Sequence, residues 1–462
     1  MTLAEEIISV LRGVTFSQIP SLTVERAKLF IIDTIGVALA GKGAEGVEAA
    51  VDTIMAIGGA KDATILCYGK RAPAPHAAMA NAMMIHCRDY DDLYEPGGVH
   101  VNVSVVPAAL AVAQKKGGVS GKEFITAVIL AVDLVCRLAV SVPVFRGWHV
   151  TSTFGIFGAA LAAGLILKLP QDSLADALGI AYSQAAGTRQ GRLEGSLTKR
   201  LQPALACQAG VLAALLAQRG ITGPREWIEG SWGLARVYGD SHESIKQQSI
   251  EKLHAALGKT FLGDELSFKC YPCCKVAHTA IEATLDLARE NNIEAVEVKK
   301  VLVEVSSGAY NTVGRPFEIR KNPQVDAQFS IPYTVALALI KKEVRLSGFE
   351  EKTIRNPAIF ELSKRVHVMV NPEMIDSSTH MVNLAAKVAI HTDRGIFSRH
   401  LATCRGNPLR PLDKEEVFRK FQDCATYGKA LSEKEIEKIL DSLTRLEDIE
   451  DIDEIFSTIK WL

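Results

Sequence analysis

The chain has 462 residues, 48% hydrophobic and 23% charged, and 52 Lys and Arg against 53 Asp and Glu leave a net charge of -1. That length exceeds what one ordinary core holds, and the composition excludes disordered and fibrous classes. Balanced charge gives no field to draw nucleic acid or an anionic membrane, so a small-molecule partner is expected.

Met1-Thr-Leu-Ala-Glu-Glu6 carries two acids where a secretory leader needs a basic start and an apolar core, which predicts a cytoplasmic protein. Val24 to Ala40 has helical apolar recurrence and stops at Gly41, read as a left-handed cap. Next comes a loop broken by Gly and Pro, Asp89-Tyr-Asp91-Asp92-Leu93-Tyr94-Glu95-Pro-Gly-Gly-Val-His100, which sets four carboxylates and a histidine between two apolar helical patterns. Loops held by rigid helices often carry chemistry, although charge runs in loops are more often simply wet.

Phe124 to Phe145 is nearly long enough to span a membrane, at about 20 residues, but Asp133 and Arg137 break it and predict a buried helix. Gly147-Trp-His149 precedes hydroxyl residues Thr151, Ser152 and Thr153, which places His149 at the start of a Gly/Ala-rich helix through Leu167 that should pack centrally. The positive end of that helix would favour the neutral imidazole that a general base needs. Further helices are predicted from Ser173 to Ala186, stopped by Gly187, and from Ala204 to Gln218. Gly195-Ser-Leu-Thr-Lys199-Arg200 is read as a polar turn before the latter, with Arg189 and Arg192 upstream, a cation set suited to a carboxylate or equally to a solvated turn.

The nine cysteines are too many and too scattered for a disulfide framework. Cys270-Tyr-Pro-Cys273-Cys274 with His278 lacks the second pair of a structural zinc site, and no metal is expected. Lys269 and Lys275 flank this segment where helical signals give way to period-two, valine-rich ones at Val296 to Ser306, Arg365 to Val370 and Ala386 to Thr392. Asp326 to Leu339 reads as a helix between these strands, and Glu415 to Tyr427 and Ser432 to Leu446 return to helix. The predicted fold is mainly α: a large all-helical domain from residues 1–266 and 400–462, interrupted by a smaller α+β domain at 267–399. No Gly-x-Gly-x-x-Gly follows a predicted strand, and motifs for phosphate loops, common zinc proteases and the hydrolase elbow are absent.

Read together, Asp89-Tyr-Asp-Asp with His100, Gly-Trp-His149 with Thr-Ser-Thr-Phe-Gly, Ser-Gln-Ala-Ala-Gly187, Gly-Ser-Leu-Thr-Lys199-Arg200, Tyr271-Pro-Cys-Cys and Asp326-Ala-Gln-Phe-Ser-Ile-Pro-Tyr resemble the MmgE/PrpD family, in order over nearly the whole chain. The resemblance implies a homodimer in which the α+β part is a lid over a cofactor-free cleft. Its chemistry is proton removal beside a carboxylate, followed by loss of water from a hydroxy-di- or tricarboxylate, with epimerisation of a dicarboxylate or decarboxylation of the cis-aconitate type as alternatives. By position, His100, His149, Asp89 and Lys199 resemble the family's catalytic residues and Tyr310 a lid tyrosine that would contact substrate; the cations Arg200, Lys269, Lys275 and Arg192 are the further candidate substrate contacts. Asp91, Asp92 and Glu95 are read as solvated. Leu93 stands where the family's cis-aconitate decarboxylase has a threonine, and Val101 and Gln202 where relatives commonly have proline and a histidine or similar polar group, which predicts altered substrate contacts.

Overall fold

A computed structural model describes residues 1–142, 147–239, 247–376 and 382–462. Its centre is the helix Val150–Ile166, buried along almost its whole length because small residues let three neighbours close on it. A Cβ on Gly158 would lie 2.5 Å from Val135 and 2.8 Å from Val105, and one on Gly210 would lie 2.6 Å from the Ala159 Cβ. Helices Asn102–Lys116, Gly121–Ser141 and Thr198–Gln218 therefore pack on it at near-backbone contact.

The helix Gly121–Ser141 starts at a capping box, Ser120 with Glu123, and is long and apolar enough to cross a membrane. Here it is a core helix: Arg137 pairs with Asp133 at 2.7 Å and donates to the carbonyls of Leu253, Ala255 and Thr260. The end of the predicted stretch, at Pro143 and Phe145, lies outside the described residues.

The chain's far end returns to its beginning. Helix Lys414–Gly428 lies along Ser21–Ala40, where a Cβ on Gly36 would stand 2.9 Å from the Phe421 ring and one on Gly428 1.9 Å from the Leu39 carbonyl. Lys420 crosses this contact to Asp33 at 2.7 Å and donates to the Tyr90 carbonyl at 2.9 Å. One hydrophobic core accordingly takes in residues from Leu3 to Phe268 and from Val417 to Ile459.

A second core gathers residues from Cys273 to Ile390. It lies under a four-stranded sheet ordered β4-β3-β5-β6: β3 Lys300–Val305 runs parallel to β4 Val366–Val370 and antiparallel to β5 Ala386–Thr392, which turns back into β6 Gly395–Leu401. A small hairpin of β1 Ala63–Ile65 and β2 Lys70–Ala72 lies in the first part. The chain is mainly helical, as expected.

Several local expectations change. Gly41 is right-handed, at φ -74°, and is required there because a Cβ would meet the Met84 carbonyl at 2.4 Å. The expected helix Asp326 to Leu339 is two helices, Pro323–Gln328 and Ile331–Lys341, since Ser330 caps the second and Pro332 lies in its first turn. The helix expected from Ala204 starts at Thr198, so Lys199 and Arg200 lie in its first turn rather than on a preceding turn, and Pro203 is inside it. Strand β6 was not anticipated, because its mostly exposed residues lack the valine-rich alternation of its partners.

Candidate functional site

The loop after helix Ala74–Cys87 is buried, and its acids are structural. Asp92 accepts from the backbone N–H groups of Val101 and Asn102, each at 3.2 Å, capping the next helix. Burial, helped by the neighbouring Asp91 charge, pushes the Asp92 carboxyl up to about 7. Glu95 takes the Ser267 hydroxyl at 2.6 Å and the Asn407 amide at 2.6 Å, with the Lys275 ammonium 3.7 Å away. The solvated reading of Asp91, Asp92 and Glu95 is therefore wrong: in a loop this deep, each carboxylate must be matched to donors.

Asp91 carries the most. One of its oxygens, Oδ2, lies 2.8 Å from Nδ1 of His86 and 3.2 Å from Nδ1 of His100. Burial opposes its charge, but the two imidazoles outweigh that and hold the carboxyl well below its usual range. His86, fully buried, is pushed the other way: burial leads, with Lys199 and His100 adding to it, and its imidazole falls to about 4. The ring of His100 stands edge-on to His86, centroids 4.9 Å apart, and His149 lies 6.1 Å from His86.

His149 occupies the N-cap of the central helix, as the sequence implied. Its backbone is fixed by the Gly187 carbonyl at 2.9 Å, where residues 148 and 188 form an isolated bridge. Its Nδ1 is 2.8 Å from Oε1 of Gln202, whose amide donates at 3.0 Å to the Thr188 carbonyl. An amide so committed presents its oxygen, so Nδ1 carries the hydrogen and Nε2 keeps a lone pair. The imidazole is held well below its usual value by burial first and then by His86 and Lys199, rather than by the helix end alone.

Opposite stands a cationic group. Asp89, at a left-handed φ of 51°, pairs with Lys199 at 2.6 Å through Oδ1 and with Lys269 at 3.2 Å through Oδ2, and its carbonyl accepts from Lys269 at 2.8 Å. Burial raises the Asp89 carboxyl, but the two ammoniums outweigh it and hold it well below the ordinary range.

These groups border a cleft of about 150 Å³, room for a small molecule and not a polymer. Asp89, His100, His149, Lys199, Lys275 and Arg192 line it, with Leu93, Glu95, Thr151 and Phe329. Its walls come from both cores, since Cys274, Thr312, Val382 and Leu384 belong to the strand-bearing part. Three candidate contacts fall elsewhere. Arg200 is buried and turns to the Glu45 carbonyl at 3.2 Å and to Gln324 at 3.3 Å. Lys269 is buried behind Asp89, and Tyr310 packs on the second core without lining the cleft. Val101 is buried in the first core, so of the three departures Leu93 touches the cleft directly and Gln202 acts through His149.

Sequence reasoning missed His86 altogether. It lies in the apolar run Ala74 to Cys87 and looked like a core residue, but its spacing of five from Asp91 across a helix end is a signal that could have been used. His86, Asp91 and His100 also offer three donor atoms within 4.8 Å of one another, a set that could hold a metal ion. The cysteines near residue 270 are free thiols and are not part of that set.

A buried carboxylate backing an imidazole, a second imidazole of fixed tautomer and a facing ammonium make a site equipped for acid–base chemistry. The chain belongs to the MmgE/PrpD family: the family's N-terminal domain matches residues 5–246 and its C-terminal domain residues 271–446. It is similar to a cis-aconitate decarboxylase of Aspergillus terreus, at 28% identity over 93% of this chain and 91% of that protein. The human cis-aconitate decarboxylase is 24% identical over 99% of this chain and 95% of its own length, and a cis-aconitate decarboxylase-like protein of Aspergillus oryzae is 25% identical over 96% and 94%. The chain is thus an enzyme of this family.

Proposed function

We propose that the protein is a cofactor-independent lyase that removes a proton beside a carboxylate of a small hydroxy-polycarboxylate and expels water. One observation carries this reading: His100 and His149 both line the cleft, His149 with Nδ1 bonded to Gln202 and His100 with Nδ1 3.2 Å from the Asp91 carboxylate, which leaves both Nε2 atoms for substrate. His100 is the base, since Asp91 fixes its orientation and balances the charge it gains with the proton. The pair of electrons from the broken C–H bond is delocalised into the carboxylate, whose developing charge meets Lys199 and Lys275. The His149 Nε2 lone pair accepts from the substrate hydroxyl and orients it. As the C–O bond breaks, the leaving oxygen takes the proton back from His100, so atoms and charge balance.

The named relatives favour a second reading, decarboxylation, in which CO2 leaves and the carbon takes up a proton. Leu93 weighs against the same substrate, because an apolar side chain in the cleft wall gives no hydroxyl donor. Epimerisation needs only the two imidazoles and no leaving group. Incubating the protein in heavy water with hydroxy- and amino-dicarboxylates and tricarboxylates, followed by NMR, separates the three: alkene without CO2, CO2 release, or label exchange at constant constitution. No exchange from any acid, or near-full turnover in His149→Asn, would sink the assignment.

The strand-bearing residues 267–399 are proposed as a lid, on the support that the cleft is walled by both cores. A homodimer is proposed as well, supported by the exposed Leu205 and Leu212 on helix Thr198–Gln218. A monomer by light scattering at working concentration would refute it.

A further inference from the structure

Beyond the catalytic cleft lies a second, larger cavity of about 300 Å³. The two share Arg192, Thr312 and Phe329 in their walls, so they adjoin as an inner and an outer compartment. Both cations near the Phe329 ring bear on it: Lys199 stands 5.0 Å from its centroid on the inner side and Arg192 5.9 Å. The outer compartment is more polar and holds three arginines and two carboxylates. Arg320 and Asp326 cancel, joined at 2.6 and 2.8 Å and tied further by the Arg320 N–H to Asp326 at 2.7 Å. Glu318 is exposed at the rim. Arg192 and Arg315 remain, and the Nε of Arg192 is buried with no hydrogen-bond partner. A buried guanidinium nitrogen left without an acceptor is costly unless a ligand supplies one.

We propose that the outer compartment binds a distal carboxylate of the substrate, held by Arg192 and Arg315, while the other end reacts at His100 and His149. The proposal rests on the function given above and names its substrate class: an acid longer than the inner cleft alone accommodates, with anionic groups at both ends. Guanidinium suits the role because its planar fork matches a carboxylate, and the mixed neighbours of Arg315 allow the end group to enter from solvent.

The test is calorimetric titration of the full chain and of Arg315→Gln with butanedioate, hexanedioate, octanedioate and inorganic phosphate. The intact chain should bind octanedioate at least tenfold more tightly than butanedioate, and Arg315→Gln should lose at least fivefold of that ratio. Equal affinity for long and short acids, or an Arg315→Gln ratio equal to that of the intact chain, overturns the proposal. So does phosphate binding alongside butanedioate when octanedioate gains nothing, which would assign the compartment to a free anion. Length-dependent binding without proton exchange from any acid would instead overturn the lyase reading and leave the subsite standing.

Discussion

The two walls of the cleft solve different problems. On the histidine wall every imidazole is backed from behind, His86 by a hydrogen bond to Asp91, His149 by one to Gln202, and His100 by the Asp91 carboxylate 3.2 Å from its Nδ1. On the cationic wall, Lys199 and Lys269 share one carboxylate, Asp89, while Lys275 and Arg192 come from the edges where the two cores meet. The first wall fixes which nitrogens face the cleft, whereas the second presents charges beside the apolar Leu93.

Breaking the first wall should cost most. Asp91→Asn puts an amide between two imidazoles and scrambles the tautomer of His100, so kcat should fall by about 10³ to 10⁴; a fall under tenfold at normal circular dichroism would show that Asp91 is not the orienting group. Lys199→Met removes one charge that the proposed mechanism sets against the developing enediolate and should lower kcat/KM by roughly 10² to 10³, with the loss of a bound dicarboxylate read in the same titration.

Asp92→Asn sharpens the contrast through pH. The Asp92 carboxyl sits near 7 in the fold against an ordinary value of 3.8, so between those limits the folded protein holds the extra proton and stability from this group falls as pH rises. His86 is opposite: its folded value near 4 lies below its ordinary value of 6.5, so the unfolded chain holds the extra proton and stability is lost as pH falls through that window. Removing the Asp92 carboxyl while keeping an acceptor for the helix cap should steepen the rise of unfolding free energy with pH between 4 and 7, by up to about 1.4 kcal/mol per pH unit. Urea unfolding across that range checks it, and an unchanged slope would place the buried proton elsewhere. The smallest effect belongs to Gln202→Leu, which strips the His149 Nδ1–H of its acceptor and should cost about 1 to 3 kcal/mol in turnover, with a shifted acid limb in the rate profile.

Much of this was legible in the chain. The central Gly/Ala helix, the strands at 300–305, 366–370 and 386–392, and the helical return after Pro411 follow from apolar period and residue size, which act locally. His100, His149, Asp89, Lys199, Arg192 and Lys275 do meet at one cleft. What the chain concealed depends on depth. An acidic run reads as wet until the packing of helix Ala74–Cys87 against Asn102–Lys116 shows that the loop joining them is interior. Arg200 and Lys199 are adjacent in sequence but about 100° apart on a helix once the first turn is known to begin at Thr198, so one faces the cleft and the other the Glu45 carbonyl.

The ion pair from Lys420 to Asp33, with its bond to the Tyr90 carbonyl, has a consequence for how the protein is made. Tyr90 adjoins both Asp89 and Asp91, so the loop that bears the site is braced by a residue translated some 330 positions later. At about 5 to 20 residues per second, a ribosome needs tens of seconds to travel from one to the other. Throughout that interval the loop's histidine and carboxylates lack this brace, which forms only once synthesis has passed Gly428 and that helix has docked.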